Sequence, residues 1–215
     1  AIGNAWSFAF VAFGIGVASG LDPLITQAHG ARNPSAFNTA VARGAVLLSL
    51  VSVFLMAGHT IAIPGLRFLG QPEQILPLAG AYCDIVLWSV PAMLLFSLVR
   101  QSLQAKGIMR PAMWVALIGN VVNVGANWVM MHGIGGVFEG IGPVGVAWSS
   151  LVVRWVMALS LTAVAPTILT AAFKHWRDAV SPSDVVEVAW VAVPVGLHMC
   201  LEVWAFEAAY MIAGW

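Results

Sequence analysis

Apolar residues fall in long runs, separated by short polar stretches. Residues 1–21, 44–66 and 111–138 contain no Asp, Glu, Lys or Arg. The run 74–99 holds only Asp84, the run 140–173 only Arg154, and the run 188–215 Glu202 and Glu207. About 20 mostly apolar residues cross a bilayer, so the pattern predicts six spans. Apolar residues occupy all faces of these runs, unlike the single stripe of a soluble surface helix. The expected fold class is all-α, a polytopic membrane protein. Punctuation agrees with the borders. Pro34, Pro64, Pro72, Pro111, Pro143 and Pro182 fall in connections, whereas Pro77, Pro91, Pro166 and Pro194 fall inside spans, where neighbouring helices can satisfy the freed carbonyls.

The connections alternate in charge. Arg32 and Arg43 lie in 29–43, Arg100, Lys106 and Arg110 in 100–110, and Lys174 and Arg177 in 174–187. The intervening connections hold only Arg67 in 64–74 and no basic residue in 132–143. The positive-inside rule places 29–43, 100–110 and 174–187 in the cytoplasm. The first helix then runs from outside to inside, and the expected location is a bacterial inner membrane.

Composition narrows the class. The 215 residues carry 9 Lys+Arg and 9 Asp+Glu, a formal net charge of zero, with 60% hydrophobic and 8% charged residues. Soluble domains carry about 25% charged residues. A soluble enzyme, a nucleic-acid binder with a basic patch and a disordered chain are all excluded, and the expected partner is the lipid bilayer. Cys83 and Cys200 form no CxxC pair, so neither a disulfide framework nor a thiolate metal site is expected. The five histidines, at 29, 59, 132, 175 and 198, have no ligand spacing. The chain begins at Ala1 and stops at Trp215 inside apolar runs, which reads as part of a longer protein.

Three short motifs read as structural. Gly140-Ile-Gly142-Pro-Val-Gly145 matches GxGxxG but follows no strand. Gly16-Val-Ala-Ser-Gly20 suits helix packing within one chain. Gln27-Ala-His-Gly30-Ala-Arg-Asn-Pro34 and Gln104-Ala-Lys-Gly107-Ile-Met-Arg-Pro111 share QAxGxxxP. The echo fits an internal repeat, or two helix exits built alike from a Gly cap, a basic residue and a Pro.

Ionisable groups at membrane depth are site candidates because their burial is costly. Glu202 lies roughly 21 Å from the basic side at about 1.5 Å per residue. Desolvation favours its neutral form and a bound cation its charged form, so a proton and a cationic substrate would compete for it. The alternative is a structural carboxylate paired with Arg154. Asn120, Asn123 and Asn127 fall within an arc of about 60° and make one polar stripe. Their amide oxygens suit Na⁺ or a hydrogen bond to a carboxylic acid, and serve equally as glue between helices. Glu207 lies about 140° around the helix from Glu202. Asp84, about 14 Å from the outer side, and Asp22, about 30 Å along the first helix, rank with Glu207 and Arg154 as secondary candidates. No nucleophile–base pair or metal cluster occurs in the pattern, so an enzyme is not expected.

Three segments together resemble the multidrug and toxic compound extrusion (MATE) transporters. Gly20-Leu-Asp22-Pro-Leu-Ile-Thr-Gln27-Ala-His-Gly30-Ala is similar to the family's second-helix signature. Gln104-Ala-Lys-Gly107, Pro111, Asn123, Asn127 and the Gly-rich stretch 133–145 resemble the fourth- to sixth-helix region. Pro194, Glu202, Phe206 and Gly214 resemble the seventh helix, as in the NorM-like branch. The resemblance implies a twelve-helix, two-lobe antiporter that exports organic cations against H⁺ or Na⁺ entry, with no cofactor. Residues 1–173 would be the first lobe without its first helix, 174–187 the inter-lobe linker and 188–215 the start of the second lobe. Asn123 and Asn127, with Asn120 beside them, would belong to the first-lobe cation site, and Glu202 would be the seventh-helix coupling acid. The family's usual Thr is Pro23 here, and the sixth-helix start reads Gly145-Val-Ala-Trp148-Ser149. Expected partners are organic cations and the rest of the chain. The rival readings are a lipid-linked precursor flippase and a non-transporting membrane scaffold.

Overall fold

The computed structural model describes residues 2–68, 70–135, 138–174, 176 and 181–213. Its helices are α1 (Ile2–Gly20), α2 (Asp22–Gly30), α3 (Pro34–Thr60), α4 (Ala62–Phe68), α5 (Leu76–Val86), α6 (Val90–Ala105), α7 (Arg110–His132), α8 (Pro143–Val164), α9 (Pro166–Lys174) and α10 (Pro182–Ala213). A one-turn 3₁₀ helix, Leu87–Ser89, joins α5 to α6. Six segments are long and apolar enough to cross a membrane: Trp6–Gly30, Pro34–Thr60, Leu76–Ala105, Arg110–His132, Pro143–Val164 and Pro182–Phe206.

Proline placement explains most of the borders. Pro lacks the N–H that an interior helix position needs but suits the first turn. Pro23, Pro34, Pro77, Pro91, Pro111 and Pro143 each stand at the first or second position of a helix. Pro77 and Pro166 therefore start helices instead of interrupting them, and among the described residues only Pro194 lies beyond the first turn of a helix. The run 140–173 splits at Ala165 into α8 and α9. The second span starts ten residues before the apolar run does. Asn33 Oδ1 accepts from the Ala36 amide at 3.1 Å and caps α3, so Arg43 is part of a helix and not of a loop.

The core lies between α1, α2, α3 and α6, where Val17, Leu21, Ile25, Val41, Leu55, Val90 and Val99 are fully or almost fully buried. α10 closes onto α1 along small residues. A Cβ placed on Gly20 would lie 2.5 Å from the Cα of Ala192, and one on Gly16 would lie 2.7 Å from the Cα of Gly196. This is the close backbone approach that small residues allow between membrane helices. α7 stands at the edge and packs along α8, with Gly119 seated on the Met157 side chain. Its other sides expose Met113, Trp114, Leu117, Ile118, Val121, Val124 and Trp128. So much exposed apolar surface suits a hydrocarbon solvent.

Glycine resolves the GxGxxG-like stretch. Gly133 and Gly142 take φ values of 82° and 70°, which favour glycine. A Cβ on Gly140 would strike Met131 O, and one on Gly145 would come 2.5 Å from Met130 O. The segment is the tight return between α7 and α8, with β1 (Gly133–Ile134) pairing antiparallel to β2 (Phe138–Glu139).

Candidate functional site

The polar stripe forms on α7. Asn127 Nδ2 donates to Asn123 Oδ1 at 3.0 Å, one turn away. Asn127 Oδ1 is buried and has no hydrogen-bond partner. An unsatisfied buried amide oxygen is costly, and beside Asn123 Oδ1 it gives two hard neutral oxygens on one helix face. Asn120, one turn earlier, is exposed.

Glu202 stands exposed on α10. Among the described residues no hydrogen bond or ion pair joins it to Arg154, so the Glu202–Arg154 pairing weighed from the sequence does not form. Instead Arg154 Nη1 donates to Ser89 Oγ at 2.7 Å, and Ser89 Oγ donates to Val86 O at 2.7 Å. Next to it, Trp155 Nε1 donates to Trp88 O at 3.0 Å. Pro91 opens the helical ladder at this point, and side chains from α8 fill the gap, as membrane helices require. Arg154 thus serves the break between α5 and α6.

The candidate groups stand on helices with different main neighbours: α10 packs on α1 and α3, whereas α7 packs on α8. Asp84 is exposed on α5. Asp22 opens α2, where the chain restarts its helix after Leu21, and its Oδ1 is buried without a partner. The side chain of Glu207, like Gly214, lies outside the described residues, as do His175, Arg177 and Asp178.

Two features escaped the sequence reading. His59 is fully buried, with Nδ1 2.9 Å from Leu55 O and Nε2 unpartnered. A lone histidine in an apolar run carried no signal for this. Asp184, assigned to a solvated connection, sits in the first turn of α10 and pairs with Arg43 of α3, Oδ2 to Nη2 at 2.8 Å. The residues Ser181-Pro182-Ser183-Asp184 do carry a helix-start signature, Pro at the first position and an acid in the first turn.

These features define a polytopic α-helical membrane protein with few ionisable groups inside its spans. The family model described as MatE matches residues 1–129, more than half of the chain. The chain belongs to the MatE family. It is 26% identical over 197 residues to the probable multidrug resistance protein NorM of Acinetobacter baylyi, covering 88% of this chain and 43% of that protein. It is 27% identical over 206 residues to the multidrug resistance protein NorM of Vibrio cholerae, covering 94% and 45%. The fold is similar to that of the eukaryotic MATE transporter AtDTX14, with a TM-score of 0.80 at 19% identity over 99% of this chain and 47% of that one. The chain spans less than half the length of these relatives.

Proposed function

We propose that the chain supplies one lobe without its first helix, and the start of the next lobe, to an antiporter that exports small organic cations against H⁺ or Na⁺ entry. The observation that carries this is Glu202, a carboxylate within a membrane helix that has no ion pair among the described residues. A lone carboxylate within a membrane helix is costly to keep there, and it offers one binding place to either a proton or a cation. The unpartnered Oδ1 of Asn127 beside Asn123 supports a second cation-accepting face on α7. Na⁺ would find two of its oxygen ligands there, the remainder coming from elsewhere. NorM relatives bear the name multidrug resistance protein, which agrees with drug export. In this reading the connections rich in Arg and Lys face the cytoplasm of a bacterial cell. Residues 174–187 then link the lobes, with the helical start at Pro182 tied back to α3. Rocking of the two lobes about the midplane site would give alternating access.

The test is Glu202→Gln in the full-length chain, with dye efflux followed against an imposed pH or Na⁺ gradient. Coupled efflux is expected to fall at least tenfold while the protein level is maintained. Undiminished coupled efflux would remove Glu202 from the mechanism.

A further inference from the structure

The two copies of QAxGxxxP meet in space. His29 and Lys106 occupy the same motif position, and both reach Phe37 of α3. Lys106 Nζ stands 4.5 Å above the Phe37 ring, and the His29 ring meets its edge at 5.8 Å between centroids. They wall a cleft of about 650 Å³ at the basic end of the bundle, with Arg32, Asn33 and Asn38 completing its polar lining. No carboxylate is among its described lining residues. Lys106 and Arg32 have no carboxylate within ion-pair distance among the described residues, whereas Arg43 and Arg67 each have one.

The copies differ in one telling respect. The second turns through Gly107, with φ 74°, at no steric cost. The first leaves Gly30 helical and turns through Arg32, with φ 53°, a conformation uncommon in residues other than glycine. Gly30 has open space around it, so no steric demand explains this choice. A strained backbone that holds a cation in a cleft already lined by Lys106 and His29 is the pattern of a preformed anion site.

We propose that this cleft binds a phosphate-bearing anion at the membrane surface. Arg32 and Lys106 supply the charge, Asn33 and Asn38 amide donors, and Phe37 the apolar floor beneath the Lys106 ammonium. The proposal rests on the orientation given above, which sets the cleft against the anionic inner leaflet, where each nearby cation adds about fivefold to affinity. A lipid headgroup or free phosphate could supply the same group.

The test uses the full-length chain in nanodiscs of phosphatidylcholine containing graded phosphatidylglycerol, with bound anionic lipid measured by native mass spectrometry. Inorganic phosphate is titrated separately against the protein in detergent. Arg32→Gly removes the charge and relieves the left-handed strain, so its effect on binding is separable from misfolding. Arg32→Gly and Lys106→Gln are each expected to weaken binding about fivefold, and the pair together about 25-fold. Lys106→Arg and Arg67→Gln, the latter at the opposite end of the bundle, should leave it within twofold. Binding of phosphatidylglycerol alone identifies a lipid site, and binding of inorganic phosphate with the same variant losses identifies a soluble anion. No binding of either, or binding that is indifferent to Arg32 and Lys106, overturns the proposal. Efflux by the Glu202 variant is a separate readout, so either reading can fail without the other.

Discussion

Arg43 Nη2 lies 2.8 Å from Asp184 Oδ2, a bond that fastens α3 to the first turn of α10. The two side chains are 27% and 28% exposed, so solvent screens the pair only in part. A double-mutant cycle on Arg43→Ala and Asp184→Ala should give a coupling of about 0.5–1 kcal/mol, in the range of partly exposed pairs. Thermal unfolding in mild detergent measures it. A coupling indistinguishable from zero would mean that the contact carries no stability.

Gly20 bears directly on the α1–α10 seam. Gly20→Val would drive a side chain into the Ala192 backbone, and overpacking of this kind costs about 1–3 kcal/mol or prevents α10 from docking. Gly30→Ala, with nothing within 4 Å, should be neutral or slightly stabilising. Cysteine cross-linking between α1 and α10 in membranes distinguishes the two outcomes.

Ser89 answers the half-buried guanidinium of Arg154. Ser89→Ala leaves a donor unsatisfied and should cost about 1–3 kcal/mol. Arg154→Met removes the charge and its unmet demand together, so the double variant should be no less stable than Ser89→Ala alone. Melting temperatures of the three variants settle the order.

At the opposite end of the bundle Arg67 donates from Nε and Nη2 to the two carboxylate oxygens of Glu73, at 2.7 and 3.1 Å. The hydrogen bond from Arg67 holds the Glu73 carboxyl below its ordinary range and raises the guanidinium in turn. For an acid lowered on folding, the stabilisation is complete above the unfolded value and is lost as the pH falls through the folded one. The pair should therefore persist at neutral pH and open only below the ordinary Glu range of about 4.3. Because both groups are fully exposed, Glu73→Gln should leave the melting temperature unchanged at pH 7. Limited proteolysis of the 69–75 connection as a function of pH would follow the opening.

The number and order of the spans were legible because each apolar run is long enough to cross a bilayer and is bounded by charge or proline. The borders were less so. Composition assigns Arg43 and Asp184 to loops, yet α3 and α10 project past the apolar runs, and their charges bond to each other there. The Asn stripe followed from helical period alone, and two of its members, Asn123 and Asn127, are hydrogen-bonded to each other. Whether the stripe and Glu202 share a site was not legible, because period fixes the face of one helix and not which helices are neighbours. The partner of Arg154 was hidden for a related reason. It is a hydroxyl beside a proline break, not an acid, and only packing brings Ser89 to α8. The basic cleft was present as a repeated motif, but its two copies gain meaning only when both reach one phenyl ring.

The α1–α10 seam also has a consequence in time. Its glycines on α1 and their partners on α10 are about 180 residues apart, so at 5–20 residues per second the first face waits roughly 10–40 seconds for the second to be synthesised. Meanwhile α7 and α8, joined by a tight return, can pair as soon as both are inserted. Biogenesis in the membrane would then proceed from the local hairpin outward, with the grooved face of α1 open to lipid, and to quality-control proteases, until α10 arrives.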